Sequence, residues 1–397
     1  MKSEWKTYKL GEIYEVHNGL SKGRKFFGRG YPFLSFSTVF NHYFLPAHLN
    51  DLVESTDKER ESLSIRRGDV FVTRTSETYN ELGMTSVALR DYPEATYNGF
   101  TKRLRPYREH LVIPEFIGYY LRNPHFRRKF EQISNVTTRA SLNNGDLLNM
   151  EVSIPPLDIQ RKIASILSAL DDKIETNNAI CRNLEEQARV LFEIRFCESS
   201  GQQVERKSVY DFAEFINGAA FKQQECGKTG LPIIKIAELK SGITSSTLLY
   251  NGSSKDEKYH IANGDVLFSW SGNPETSIDV FIWSQGKAIL NQHIFNVKSR
   301  YGAKWFTYLL LKSYMPVFTK IAADKQTTGL GHVTVADLKR LTFPFNLNCI
   351  LSFEEEVSFY MERVYNTLVE NNTLSILRDT LLPKLMAGEL DVGNVKL

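Results

Sequence analysis

Four polar stretches carry side chains suited to reading the edges of DNA bases. Thr73-Arg74-Thr75-Ser76 and Ser269-Trp270-Ser271-Gly272-Asn273 each follow a Gly-Asp-Val run, and Asn135-Val136-Thr137-Thr138-Arg139 and Asp324-Lys325-Gln326-Thr327-Thr328 come later at matching places. Arg, Asn, Gln, Ser and Thr present donors and acceptors in the geometry that base edges offer in a groove. The candidate DNA contacts are Arg74, Thr75, Ser76, Thr138 and Arg139 in the first half of the chain. In the second half they are Gln223, Trp270, Ser271, Asn273, Gln292, His293, Lys325 and Gln326. Trp270 is more often a core residue than a wedge, and His293 suits a structural imidazole as well as it suits a contact.

A second chemistry is phosphate binding. Lys22, Arg24, Lys25 and Arg29 sit among glycines and Phe26-Phe27 with no acid between them. Lys102, Arg103, Arg105 and Arg108 form another basic cluster, and Arg122, Arg127, Arg128 and Lys129 a third. Runs of this kind can neutralise a nucleic-acid backbone or simply form a solvated face.

Catalytic equipment is missing. Gly227-Lys228-Thr229 lacks the upstream glycine of a phosphate-cradling loop. Asn123-Pro124-His125 and Asn273-Pro274-Glu275 both depart from the Pro-Pro-aromatic pattern that holds an amine for methyl transfer. No glycine-rich turn suggests a bound adenosyl cofactor. The eight histidines lack metal-ligand spacing, and Cys181, Cys197, Cys226 and Cys349 read as reduced structural thiols. No metal site and no catalysis by this chain alone are expected.

The elements that position these side chains come in duplicate. Leu10-Gly11-Glu12-Ile13-Tyr14-Glu15-Val16-His17-Asn18-Gly19 aligns with Val209-Tyr210-Asp211-Phe212-Ala213-Glu214-Phe215-Ile216-Asn217-Gly218. Gly30-Tyr31-Pro32 then matches Gly230-Leu231-Pro232, Gly68-Asp69-Val70 matches Gly264-Asp265-Val266, and Asp146-Leu147 matches Asp337-Leu338. This conserved order of features within one chain is the mark of a tandem duplication. Short β-rich runs such as Phe33-Leu34-Ser35-Phe36 and Ile233-Ile234-Lys235-Ile236, with helical spacing at 114–121 and 303–312, predict an α+β fold for each copy. The two copies differ most in the polar stretches, as two readers of different sequences would.

Each copy is followed by a helical pattern. Ile163, Ile166, Leu170, Ile174, Asn177, Cys181, Leu184, Ala188 and Leu191 step by three or four residues, and Phe353, Val357, Tyr360, Val364, Leu368, Asn371 and Leu374 do the same. A helix over 159–196 would be about 57 Å long. Pro155-Pro156 blocks its start, and Pro383 is expected to kink or end the second helix early. Asn177 and Asn371 both interrupt the apolar seam at the midpoint of their helices, taken as 159–196 and 353–390. An antiparallel coiled coil with flush ends sets the two amides opposite each other, and a buried Asn pair would fix register.

The 397 residues are 42% hydrophobic and 24% charged, enough for two or three folded domains. The net charge of +3 divides into +4 for residues 1–156, −2 for 157–203, +5 for 204–350 and −4 for 351–397. Basic globular parts suit a polyanion, and acidic helices suit protein partners. No run of apolar residues is long enough to span a membrane and the start lacks a signal core, so a soluble, cytoplasmic protein without membrane association is expected.

At this point the chain resembles the specificity subunits of type I restriction-modification systems. The residues that carry the resemblance are Ile154-Pro155-Pro156-Leu157-Asp158-Ile159-Gln160-Arg161-Lys162-Ile163, Leu170-Asp171-Asp172-Lys173-Ile174-Glu175-Thr176-Asn177-Asn178, and Leu377-Arg378-Asp379-Thr380-Leu381-Leu382-Pro383-Lys384-Leu385-Met386-Ala387-Gly388-Glu389-Leu390. Asn346-Leu347-Asn348-Cys349 stands where a second Pro-Pro-Leu start would be. The resemblance implies two target recognition domains, 1–156 and 199–350, joined by spacer helices at 157–198 and 351–397 in a pseudo-twofold arrangement. It implies a non-catalytic subunit that reads a split target in double-stranded DNA. It further implies two modification subunits that bind adenosylmethionine and methylate adenine, and ATP-driven restriction subunits. Two readers on one face of B-DNA sit about 10 bp apart. A scaffold without DNA readout and a stand-alone DNA-modifying enzyme are the alternative readings.

Overall fold

A computed structural model of the chain describes residues 5–76, 82–133, 140–196, 205–252, 254–326, 330–393 and 395. It divides into two units, one made of Met1–Asp172 with Ile376–Leu397, the other of Lys173–Ser375. Each unit is α+β and holds one of the repeats.

In the first unit the central sheet runs in the order Tyr14–Asn18, Thr101–Pro106, Val70–Thr73, Thr85–Val87, antiparallel throughout. The second unit repeats it with Ala213–Asn217, Ile294–Ser299, Val266–Ser269 and Asp279–Ile282. The Gly-Asp-Val motif explains itself here. Gly68 and Gly264 turn the chain at φ 88° and 90°, which favours glycine. Asp69 then accepts the Arg66 amide at 2.7 Å and pairs with Arg105 at 2.6 Å, while Asp265 accepts the Ala262 amide at 2.9 Å and pairs with Lys298. Both aspartates thereby lock the turn to the neighbouring central strand. The valines that follow are fully buried.

A smaller sheet stands beside each central one. Phe27–Leu34 pairs with Asp51–Val53 and runs parallel to Thr96–Tyr97, as Leu231–Ile234 runs parallel to Ala288–Leu290. Helices Pro114–Arg122 and Lys304–Ser313 bury Phe116 and Phe306 against the central sheets. Each such phenyl contributes roughly 1.5–3 kcal/mol.

The long helices span Leu157–Phe196 and Leu347–Met386. The first starts after Pro155-Pro156, where Gln160 is fully buried and fully bonded: it accepts the Ile113 amide at 2.9 Å and donates to the Leu111 and Pro155 carbonyls at 2.9 Å each. The second begins at Leu347, earlier than its apolar repeat suggests. Asn346 caps it by accepting the Cys349 amide at 3.1 Å, which does the work of the missing prolines. It also runs through Pro383, contrary to the expected early end; Pro383 lies in the last turn, and its own carbonyl still accepts the Ala387 amide at 2.9 Å. Asn371 is consequently off-centre in its helix.

Ile163, Ala164 and Leu167 of the first helix and Leu382, Leu385 and Met386 of the second are buried in the first unit's core. There Arg378 of the second helix pairs with Asp171 of the first at 2.8 Å. In the second unit Phe192 packs among Phe196, Phe306, Phe343 and Phe353, with centroids 5.1–5.8 Å away. The helix pairing there is antiparallel, with Asn177 facing Asn371 and Arg195 reaching Glu356 at 2.5 Å.

Candidate nucleic-acid interface

The first strand of each central sheet ends in Asn-Gly. A Cβ on Gly19 would lie 2.2 Å from the Asn98 carbonyl oxygen, and one on Gly218 would lie 2.2 Å from that of Asn291. Only glycine allows this approach, and it fixes the preceding Asn18 and Asn217 at the sheet edge. From there Asn18 Oδ1 accepts a hydrogen bond from Arg74 Nη1 at 3.3 Å. Asn217 Oδ1 accepts one from Trp270 Nε1 at 3.0 Å.

Arg74 and Trp270 hold equivalent backbone positions. The Arg74 amide donates to the Phe100 carbonyl at 3.0 Å, and its own carbonyl accepts the Leu142 amide at 2.9 Å. The Trp270 amide donates to the His293 carbonyl at 3.3 Å, and its carbonyl accepts the Val333 amide at 2.8 Å. Behind them the sheets place Lys102 in register between Asn18 and Val72, and Phe295 between Asn217 and Phe268. Lys102 donates to Asn144 Oδ1, and desolvation together with the neighbouring Arg74 charge lowers its pKa. Phe295 instead stacks on Trp270, centroids 5.6 Å apart.

The rim of each site is a single tight turn. Phe100 is 57% exposed, held in place by its amide donating to Asn98 Oδ1 at 2.6 Å. Gln292 and His293 are both exposed in the other unit, their nitrogens 3.3 Å apart, with the His293 ring 5.8 Å from Trp270.

Comparisons with known proteins decide the family. The model of the type I restriction modification DNA specificity domain matches residues 2–186 and again 202–346. The chain belongs to that family. It is 24% identical to the MjaIX specificity subunit of Methanocaldococcus jannaschii, covering 99% of this chain and 95% of that protein. It is 22% identical to the HindI specificity subunit of Haemophilus influenzae, covering 98% and 100%. The crystal structure of the type I S subunit from M. genitalium shares its fold, with TM-score 0.55, 12% identity and 96% of each chain covered. This protein is thus a specificity subunit, the non-catalytic part of a type I restriction-modification complex that determines its DNA target. It assembles with other subunits and with DNA.

The specificity subunit brings some of the residues singled out in its sequence together and disperses others. Thr75-Ser76 forms a two-residue strand against Ala140-Ser141, and Ser271-Gly272 does the same with Gly331-His332, so both continue directly from Arg74 and Trp270. Thr138 and Arg139 lie outside the described residues. Asn273 is exposed, but its Oδ1 accepts the Glu275 and Thr276 amides at 3.0 and 3.1 Å and so shapes its own turn. Lys325 is tied to the buried Asp337, and the exposed Gln326 follows it. Gln223 is exposed in the short helical turn Gln223–Glu225.

In the matching loop of the first unit, Arg24 and Lys25 face solvent. Lys22 pairs with Glu59 at 2.7 Å and Arg29 with Glu54 at 2.6 Å, acids that the fold brings in from elsewhere in the sequence. The other two basic clusters are largely structural. Arg103 is buried and donates to the Ser64 carbonyl at 2.7 Å, and Arg122 binds the Thr85, Val39 and Phe40 carbonyls at 2.5–2.7 Å. Asn18, Phe100, Asn217 and Phe295 escaped the sequence reading of the site, and Lys102 was placed only in a basic run. The one signal that could have marked the asparagines was the Asn-Gly present in both copies.

Among the described residues, no cluster of His, Cys, Asp and Glu could hold a metal, Cys181, Cys226 and Cys349 are free thiols, and no helix is long and apolar enough to cross a membrane. Burial raises the Cys181 thiol to about 11.

Within the second unit, Asn177 donates to Asn371 Oδ1 at 2.9 Å and to Glu370 at 3.0 Å, and Asn371 donates to Asn178 at 2.8 Å. Asn177 is 1% exposed and Asn371 8%. The amides are bonded to each other and to flanking polar groups, so the seam carries them without unpaired donors.

Proposed function

We propose that the specificity subunit reads a bipartite DNA target, residues 1–156 one half and residues 199–350 the other. The observation that carries this is the equivalent placement of two unlike side chains, Arg74 and Trp270, on one frame with the same asparagine partner. A frame kept while its presented group changes is what two base readers of different sequence require. The partners that complete the complex are two modification subunits, which bind adenosylmethionine and methylate adenine, and ATP-dependent restriction subunits. The acidic long helices suit contacts with these proteins rather than with DNA. Asn177 and Asn371 act as the register device of the helix pair.

The test is a map of methylated adenines in DNA from cells making this chain with its modification subunits, against cells lacking the chain. A motif of two short specified halves around a fixed gap, present only with the chain, is the expected result. Exchanging residues 1–156 for those of another family member should alter one half alone. An unchanged methylation map from a properly assembled complex would leave a scaffold without DNA readout as the better account.

A further inference from the structure

Among the described residues, Lys102 and Arg74 are two cations in one place without an anion. Lys102 is 4% exposed, and its pKa is lowered by desolvation and by Arg74. Among the described residues its bonded partner is the neutral Asn144, and that of the Arg74 side chain is the neutral Asn18. Arg74 Nε is buried and has no acceptor among the described residues. Burying one cation beside a second, half-exposed one is costly unless an electron-rich group completes the site.

Resting on the DNA-reading function proposed above, we propose that the first unit reads a guanine, with Arg74 as the reading side chain and Lys102 as the buried cation that keeps its surroundings electropositive. Guanine offers two adjacent acceptors, O6 and N7, and is the base edge that an arginine meets with two parallel hydrogen bonds. Arg74 has five N–H groups; one serves Asn18 and the Nε–H is buried, which leaves enough for a bidentate contact. The Asn18 bond fixes the plane of the guanidinium, as a paired contact needs and a phosphate contact does not.

The second unit supports the choice of a base over a phosphate. The DNA backbone is the same at both half-sites, so a phosphate contact gives no reason to change the residues that make it. Yet Trp270 and Phe295 replace Arg74 and Lys102 together, a stacked aromatic pair in place of a cation pair. A single exchange would set a buried ammonium against an indole or a phenyl against a lone guanidinium; the double exchange keeps each site consistent. Lys102 is a positioning residue, because its ammonium is spent on Asn144 and acts on the base through the field around Arg74.

The experiment uses the assembled modification complex and its mapped target, with each guanine replaced in turn by 7-deazaguanine, which lacks the N7 acceptor. One guanine in the half read by residues 1–156 should cost about tenfold in affinity. Arg74→Gln should abolish that discrimination, and Lys102→Met should reduce it with little change in affinity for unrelated DNA. The double variant Arg74→Trp, Lys102→Phe copies the pair of the second unit and keeps a folded comparison available should Lys102→Met fail to fold. Equal loss on every sequence in Arg74→Gln, with a salt dependence weaker by about one phosphate, overturns the proposal in favour of a backbone contact. Insensitivity of every guanine in that half also overturns it. A wild-type complex without any sequence preference would instead remove the DNA-reading function itself.

Discussion

Trp270 and Asn217 meet at 3.0 Å, the indole N–H donating to the amide oxygen, in the place where Arg74 donates to Asn18 in the other unit. The asparagine is a constant mount and the side chain it holds is the variable. Trp270→Phe keeps a ring to stack on Phe295 but deletes the donor. It should cost about 1 kcal/mol of stability and relax a single position of one half-site. Thermal denaturation and the methylated motif measure the two effects; a change in both halves would mean that Trp270 acts on the fold rather than on a base.

The Asn177–Asn371 bond gives a prediction with opposite signs. Asn177→Leu alone strands the buried Asn371 oxygen and should destabilise by about 1–3 kcal/mol. Replacing both with Leu should recover that loss or exceed it, since an apolar pair suits the seam, but the register should broaden. Spin labels on the two helices within residues 173–375 would report it. A single sharp distance in the double variant would show that other contacts set the register.

Acid should act on the second unit through Asp337. Burial alone would raise its carboxyl, but the bonds from Lys325, Thr334 and Arg340 outweigh burial and hold it well below the usual carboxylate range. A group depressed in the folded state contributes its stability in full above its unfolded value of ~3.9 and loses it as pH falls toward the folded value. Urea midpoints should thus drop below pH ~4 in the wild type and much less so in Asp337→Asn. At neutral pH Asp337→Ala should cost roughly 3 kcal/mol, because Lys325 loses its buried partner. Equal acid slopes in wild type and Asp337→Asn would place the acid sensitivity elsewhere.

Phe100 presents a phenyl ring on a turn whose conformation is fixed by Asn98. The apolar group on a base edge in the major groove is the thymine methyl. Replacing the thymine it touches by uracil should weaken binding about fourfold, the worth of one buried methylene of ~0.8 kcal/mol, and Phe100→Ala should erase the difference. If no thymine in that half responds to uracil, the ring contacts something other than a base.

The sequence exposed the duplication, the α+β class and the long helices because these are written in periodicity and in repeated order. The Gly-Asp-Val motif was legible as a turn, although nothing local could show that Asp69 and Asp265 pair with cations on the neighbouring central strand. Arg74 and Trp270, the proposed base readers, stood out by residue type. Their mounts did not, since Asn18 and Asn217 reach them only through sheet pairing. Charge runs misled most: Arg103 and Arg122 sit in basic stretches yet serve carbonyls inside the fold. The start of the second helix was missed because Asn346 caps it through a side-chain oxygen, a weaker signal than two prolines.

The first unit draws Leu382, Leu385, Met386 and Val392 into the core that Leu10 and Val70 also form. Residues 376–397 emerge from the ribosome on the order of 200 residues after Asp172, a delay of roughly 10–40 s at ordinary translation rates. The second unit, Lys173–Ser375, is continuous and can complete its core during synthesis. The half of the protein made first is therefore finished last, and until then its apolar surface needs a chaperone or a transient covering of its own.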